Sequence, residues 1–382
     1  MSFALNLPKL SLAGPGAVAD AVAQLTLQPV KKVMVITDGA LVKLGILDGL
    51  FSELDKAGIA YHLFDDVTPN PTATLVRNGA KVYKAEACDC FIAVGGGSPI
   101  DTAKAVRIMS CNPGDICDYN GVGKVQVPGA FFIAINTTAG TAAEMTSNSV
   151  VTDEDNKVKM VIIDGKQIPD IAVNDPELMV GLPPSVTAAT GMDALTHAIE
   201  AYVTPGAHTL TDHSALEAIR LITAWLPVAV VDGKNIEARD KMACGQFLAG
   251  MAFNSAGLGL VHSMAHQPGA THNLPHGVCN AILLPIVCEF NGETGPERFR
   301  AIAEAMGGDT SKLNDKEAAA LANRLIRKLS ETVGIPVGFS TLGIDESVIE
   351  GWLDKALADP CLPGNPRVPT REEIRELYMK AM

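Results

Sequence analysis

The sequence predicts two domains of different class, an α/β domain over residues 1–184 and an all-helical domain over residues 185–382. Three observations carry this. Fully apolar β-rich runs alternate with helical patterns through the first half, as a parallel sheet covered on both faces requires. A Pro183-Pro184 pair then interrupts the chain, placing the boundary near residues 182–186. Beyond it the pattern is helical and strand candidates are scarce.

Taken in order, residues 33–37 (VMVIT) read as a strand, followed by a helix over about 44–56. Residues 59–63 form a second strand candidate, then a TPNPT turn at 68–72 and a helix to about Lys84. Residues 90–94 (CFIAV) run into Gly95-Gly96-Gly97-Ser98 and another helix, and residues 131–135 (FFIAI) run into Asn136-Thr137-Thr138. In the second half, helices are expected over about 188–202, 211–226 and 236–253, with more to the end of the chain.

Composition narrows the function. With 47% hydrophobic and 19% charged residues the chain is globular. Its net charge of −13 argues against nucleic acid or an anionic membrane as the main partner, since both require a basic face. The N-terminal residues show no basic region followed by an apolar stretch, and no apolar run approaches the roughly 18 residues of a spanning helix. The eight Cys form no C-x-x-C pair and read as reduced, mostly buried residues. A cytoplasmic location is expected.

Two glycine-rich turns compete for a nucleotide. Residues 14–19 (GPGAVA) fit G-x-G-x-x-A, with Asp38 about 20 residues on, but the preceding PKLSLA is a poor central strand. Residues 95–101 (GGGSPID) follow a fully apolar strand. Ser98 suits a helix N-cap, Pro99 the first helical position, and Asp101 a variant capping box. Three glycines let the backbone approach a phosphate, which the free N–H groups of the helix start would bind. Asp38, at the end of its strand, is either a solvated acid or a ribose partner; as the latter it would favour NAD over NADP by repelling a 2′-phosphate.

The helical half holds a metal-like constellation. Asp193 and His197 are spaced i,i+4 on one helix face, as are His262 and His266, and His276 follows closely. Four of the eight His fall within residues 262–276. Three imidazoles and one carboxylate from this set make a borderline donor group suited to Fe(II), Zn(II) or a similar ion, and the lack of thiolates favours a catalytic over a structural site. A Lewis acid in one domain and nicotinamide held by the other would place chemistry in the cleft between them.

These motifs together resemble the iron-containing (group III) alcohol dehydrogenases, in the branch with lactaldehyde reductase/propanediol oxidoreductase and 1,3-propanediol dehydrogenase. The resemblance runs through GGGSPID (95–101), NTTAGTAAE (136–144), ATGMDALTHAIEAY (189–202), GLVHSMAHQPGA (259–270), NLPHGVCNAILLP (273–285) and NPR (365–367). It implies a Rossmann-like N-terminal domain and a helical C-terminal domain, the dehydroquinate synthase-like architecture. It implies an NAD-dependent, metal-dependent interconversion of a small primary alcohol or diol and its aldehyde, in a homodimer or higher homo-oligomer. Asp193, His197, His262 and His276 are the implied ligands, of Fe(II) first and Zn(II) or Ni(II) as substitutes, with His266 a proton-relay group. For NAD it implies pyrophosphate on Gly96, Gly97 and Ser98, ribose near Asp38, and further contacts from Asn70, Thr137, Thr138, Thr141, Thr146 and Lys159. Residues 14–19 become a decoy. Asn136, His272 and the Asn148-Ser149 pair depart from many relatives and are expected near the substrate. A lyase related to the dehydroquinate synthases would need a basic pocket, and residues 189–202 and 259–277 contain no Lys or Arg.

Overall fold

A computed structural model describes residues 3–382, which divide into two compact units. One comprises residues 6–138 and 142–180. The other comprises residues 181–382 with the short segment 139–141 and the N-terminal residues through Leu5.

The first unit contains every strand among the described residues: β1 (Leu10–Ala13), β2 (Lys32–Ile36), β3 (Ala60–Phe64), β4 (Cys90–Gly95), β5 (Gly121–Val122), β6 (Phe131–Asn136), β7 (Asn148–Asp153), β8 (Val158–Ile163) and β9 (Ile171–Asn174). Six of them form a parallel sheet in the order β1-β9-β6-β4-β2-β3. Strand periodicity sorts its side chains. Val33, Val35, Ile92, Val94, Ile133 and Ile135 face one core, shared with Ala21 and Leu25 of the helix Ala17–Leu25 and Leu50 and Leu54 of the helix Asp48–Lys56. Met34, Ile36, Phe91, Ala93, Phe132 and Ala134 face the opposite core, with Val76 and Ala80 of the helix Ala73–Ala85 and Ile100 and Val106 of the helix Gly97–Cys111. Each large apolar side chain buried this way contributes roughly 1.5–3 kcal/mol. A smaller sheet, β5-β8-β7, pairs β7 and β8 antiparallel.

Two local expectations change. The helix expected over 44–56 starts only at Asp48, and a separate short helix, Gly39–Lys43, precedes it; Gly45, with a left-handed φ of +70°, lies between the two. The weak strand before residue 14 is real but lies at the sheet edge, where β1 needs a partner on one side alone and tolerates half-exposed residues.

The second unit is helical throughout its described residues apart from loops. The helix Pro184–Val203 opens with Pro at its first turn and is buried on nearly every face, as its apolar composition requires. Gly191 permits close contact with the helix Thr209–Val231, since a Cβ there would sit 2.3 Å from Leu226 Cδ1. Thr209–Val231 is long and apolar enough to cross a membrane by length and composition. It nonetheless carries Asp212, Glu217 and Arg220, and buries Ala215, Ile219, Ile222 and Leu226 as a stripe at helical spacing. It continues through Pro227, beyond the expected end near Leu226. The helices Ile236–Ala256, Leu260–His272 and His276–Gly292 follow and carry the site described next. All eight Cys are free; Cys88, Cys90, Cys279 and Cys288 are buried, whereas Cys111 and Cys244 are exposed, so burial is less general than expected.

Candidate metal centre and nucleotide site

In the first unit, parallel pairing puts the carboxyl ends of β2, β4 and β6 side by side. Asp38 follows β2, Gly96-Gly97-Ser98 follow β4, and Thr137-Thr138 follow β6, so these candidates lie along one edge of the sheet. The chain runs outward from β2 to β3 and then returns to β4 on the other side of β2. Asp38 and the glycine turn therefore flank the point where strand order reverses, where open α/β sheets bind ligands. Gly95 has φ +148°, and a Cβ there would lie 2.5 Å from Pro99 Cγ. Its lack of a side chain is a steric requirement of the turn.

The helix start differs in detail from expectation. The helix is Gly97–Cys111 with Gly96 at the cap position and no side-chain cap, so Ser98 lies inside the first turn. Asp101 accepts from Val150 N at 3.0 Å instead of closing a capping box. The uncapped first turn leaves backbone donors for an anion. Asp38 caps the short helix Gly39–Lys43, its Oδ1 accepting from Ala40 N and Leu41 N at 3.0 Å each. At residues 14–19, Asp175 Oδ2 already accepts from Gly16 N at 3.0 Å, which puts a carboxylate of the chain itself at the helix start.

Of the other cofactor candidates, Thr146 is buried and bonded through Oγ1 to Lys104 Nζ at 3.1 Å. Lys159 lies half-buried on β8, and Asn70 takes a left-handed φ of 56°. Thr141 belongs to the segment that clusters with the helical unit. Two positions expected near the substrate are occupied inside the first unit. Asn136 donates to Asn174 Oδ1 at 3.0 Å, and Ser149 to Gln167 Oε1 at 2.6 Å, both fully buried. His272 is exposed and bonded to Thr271 Oγ1 at 2.8 Å.

In the second unit, Asp193, His262 and His276 each offer an atom, and these lie within 4.8 Å of one another. The helix Pro184–Val203 supplies Asp193 and His197, Leu260–His272 supplies His262 and His266, and His276–Gly292 supplies His276 from its first position. Gly277 makes the convergence possible, since a Cβ there would lie 2.3 Å from Ala189 O. The amide Nδ2 of Asn280 sits amid the cluster, 2.6 Å from Asp193 Oδ1, 3.2 Å from His262 Nε2 and 3.1 Å from His276 Nε2. Three acceptors thus converge on one donor, an arrangement that a divalent cation would satisfy in its place. His197 stacks on His262 at 4.6 Å and on Phe253 at 4.3 Å, and its buried Nδ1 has no hydrogen-bond partner among the described residues. His197 falls outside that cluster of three, and its ring stacked on His262 with an orphaned nitrogen is what ties it to a metal-binding set.

Burial raises the Asp193 carboxyl above its ordinary range. Burial, with His197 and His266 nearby, holds His262 well below the usual imidazole range, keeping it neutral with a lone pair available. His266 lies one turn on, its Nδ1 2.8 Å from Asp359 Oδ2, and its ring stacks on His276 at 5.4 Å. Asp359 is held in turn by the Cys361 amide at 2.9 Å. Burial works to raise this carboxyl, but His266 and its hydrogen bonds outweigh it and lower it.

Three residues of this site are not among the sequence candidates: Asn280, Asp359 and Glu200. Asn280 stands four residues after His276 and Glu200 three after His197, so helical spacing could have found both. Asp359 lies 93 residues from His266 and carries no local signal.

Two family models match the chain: "Iron-containing alcohol dehydrogenase" over residues 8–176 and "Fe-containing alcohol dehydrogenase family, C-terminal" over residues 187–382. The NAD-dependent methanol dehydrogenase of Bacillus methanolicus is 43% identical over 376 residues, which cover 98% of this chain and 99% of that protein. The 1,3-propanediol dehydrogenase of Citrobacter freundii is 44% identical over 377 residues, covering 98% and 97%. A crystal structure of 1,3-propanediol oxidoreductase superposes with a TM-score of 0.98 at 42% identity, covering all of both chains. The chain belongs to the iron-containing alcohol dehydrogenase family.

Proposed function

We propose that this chain is an NAD-dependent, divalent-metal alcohol dehydrogenase that interconverts a small primary alcohol or diol and its aldehyde by hydride transfer. The observation that carries the reading is the convergence of Asp193 Oδ1, His262 Nε2 and His276 Nε2, with the His197 ring stacked on His262. These four residues would hold the ion, Fe(II) by family membership, with Zn(II) or Ni(II) compatible with the same donors. When bound, the ion supplies Lewis-acid polarisation of the alcohol or aldehyde oxygen, and the nicotinamide accepts or returns the hydride.

The chain's own groups do the rest. Asp359 fixes the proton of His266 on Nδ1, which leaves the second ring nitrogen to take up or return the hydroxyl proton. The N–H groups of Gly96 at the cap and of Gly97 and Ser98 in the first turn bind the pyrophosphate. Asp38 uses Oδ1 to cap its helix and offers Oδ2 to ribose. Asn70, Thr137, Thr138, Thr141, Thr146 and Lys159 complete the cofactor contacts in this reading. The names of the relatives in Bacillus methanolicus and Citrobacter freundii point to short alcohols and diols. A cytoplasmic location, supported by the free cysteines, and a homodimeric or larger assembly belong to the same proposal.

Metal-loaded protein mixed with NAD and a panel of short alcohols and diols should generate NADH absorbance. No signal with any of them would overturn the reading. Gly96→Val should abolish saturable NAD binding, because a side chain there meets Thr138 Oγ1 at 2.9 Å and blocks the phosphate approach.

A further inference from the structure

Glu200 is buried with 2% exposure, yet it is not one of the proposed ligands. It stands on the helix Pro184–Val203, two turns beyond Asp193 and one beyond His197. Its partners all belong to another element. Oε2 accepts from Gly259 N at 3.0 Å and Oε1 from Val261 N at 2.6 Å, at the start of the helix Leu260–His272. That helix has no side-chain cap from its own N-cap residue, Gly259, so Glu200 provides one from a distance. The same Oε2 lies 2.6 Å from His262 Nδ1.

A neutral imidazole has one N–H and one lone pair. Burial pushes the Glu200 carboxyl up to about 7, against the lowering effect of the two amide N–H groups that point at it; in its acceptor-only form it draws the His262 proton to Nδ1. The lone pair is then confined to Nε2, the atom that faces Asn280 beside Asp193 and His276. Carboxylates that orient metal-binding imidazoles in this way act through ligand basicity and ring orientation.

We propose that Glu200 is a positioning residue for the metal centre, locking His262 in the tautomer that presents Nε2 while tying the helix that carries His262 to the helix that carries Asp193 and His197. The proposal rests on the assignment of His262 as a ligand. In Glu200→Gln the amide nitrogen faces either Val261 N–H, or Gly259 N–H together with His262 Nδ1, and the second choice moves the ring proton to Nε2.

The test uses full-length protein stripped of metal and titrated with Zn2+ against a chromophoric chelator, together with imidazole 15N shifts of the metal-free protein. Wild type should show His262 protonated at Nδ1. Glu200→Gln should bind Zn2+ about 10- to 100-fold more weakly and lose the single-tautomer signature. Partial rescue of both by Glu200→Asp would support positioning over bulk packing. Wild-type His262 protonated at Nε2 would overturn the proposal without any variant, as would unchanged Zn2+ affinity in Glu200→Gln. His262→Ala separates the two layers: full Zn2+ affinity in that variant overturns the ligand assignment itself, and the proposal with it.

Discussion

His266 and Asp359 are joined at 2.8 Å between imidazole Nδ1 and carboxylate Oδ2, across 93 residues of sequence. His262 and His266 sit one turn apart on one helix, and each has its Nδ1 held by a buried carboxylate from another segment. What separates them is the neighbourhood of Nε2: His262 is grouped with Asp193 and His276, and His266 is not.

The first prediction follows from that separation. His262→Ala should lose bound metal and activity together. His266→Ala should keep the metal, measured by elemental analysis, and lose roughly 10²–10⁴-fold in kcat, the usual range for a general acid–base group. Asp359→Asn should fall on the same side as His266→Ala, since an amide no longer fixes the proton on Nδ1. Metal loss in His266→Ala with retention in His262→Ala would reverse the assignment.

Metal should also stabilise the fold, because the donors converge only in the native state. At about 100 times its dissociation constant an ion adds roughly 2.7 kcal/mol. Differential scanning calorimetry of protein treated with EDTA and then reloaded with Zn2+ should show a melting temperature several degrees higher after reloading. His197→Ala should shrink that shift, because His197 is one of the four proposed ligands. An identical shift in the variant would remove His197 from the ligand set.

What was legible in the sequence follows from the range of the forces involved. β2, β4 and β6 are buried on both faces and are written as unbroken apolar runs. Asp193 and His197, two of the proposed ligands, sit at i,i+4 because one helix face must present them together. Long-range pairings were illegible. Asp175 quenches the glycine turn at 14–16 from 159 residues away, Asp101 turns from its own helix to Val150, and Asp359 reaches His266 only in the folded chain. A carboxylate looks the same in sequence whether it faces water or a histidine.

Cofactor preference can be tested at Asp38. Asp38→Asn retains a good helix cap, since Asn and Asp cap about equally well. It removes the charge that would repel a 2′-phosphate. At an effective dielectric between those of water and a protein surface, that repulsion amounts to about 1–4 kcal/mol. The ratio of kcat/KM for NAD to that for NADP should therefore fall roughly 10-fold or more, with thermal stability little changed. An unchanged ratio would place the ribose elsewhere.

Two glycines give a matched pair for the geometry of the centre. Gly277 cannot take a Cβ without moving backbone, because Ala189 O and C would lie at 2.3 and 2.8 Å, and Asp193 Cβ is only 3.3 Å away. Gly277→Ala must push the helix His276–Gly292 off the helix Pro184–Val203, at a cost of roughly 1–3 kcal/mol for overpacking. The displacement separates His276 from Asp193, so Zn2+ affinity should drop along with stability. Gly351, in the helix Glu350–Leu357, has nothing within 4 Å of the place a methyl group would take, and its φ is an ordinary helical one. Gly351→Ala should therefore stabilise by about 0.5–1 kcal/mol and leave Zn2+ affinity unchanged. Urea unfolding of the two metal-free variants, with Zn2+ titration of each, checks both signs. Equal behaviour of the pair would mean that the close approach at Gly277 does not hold the centre together.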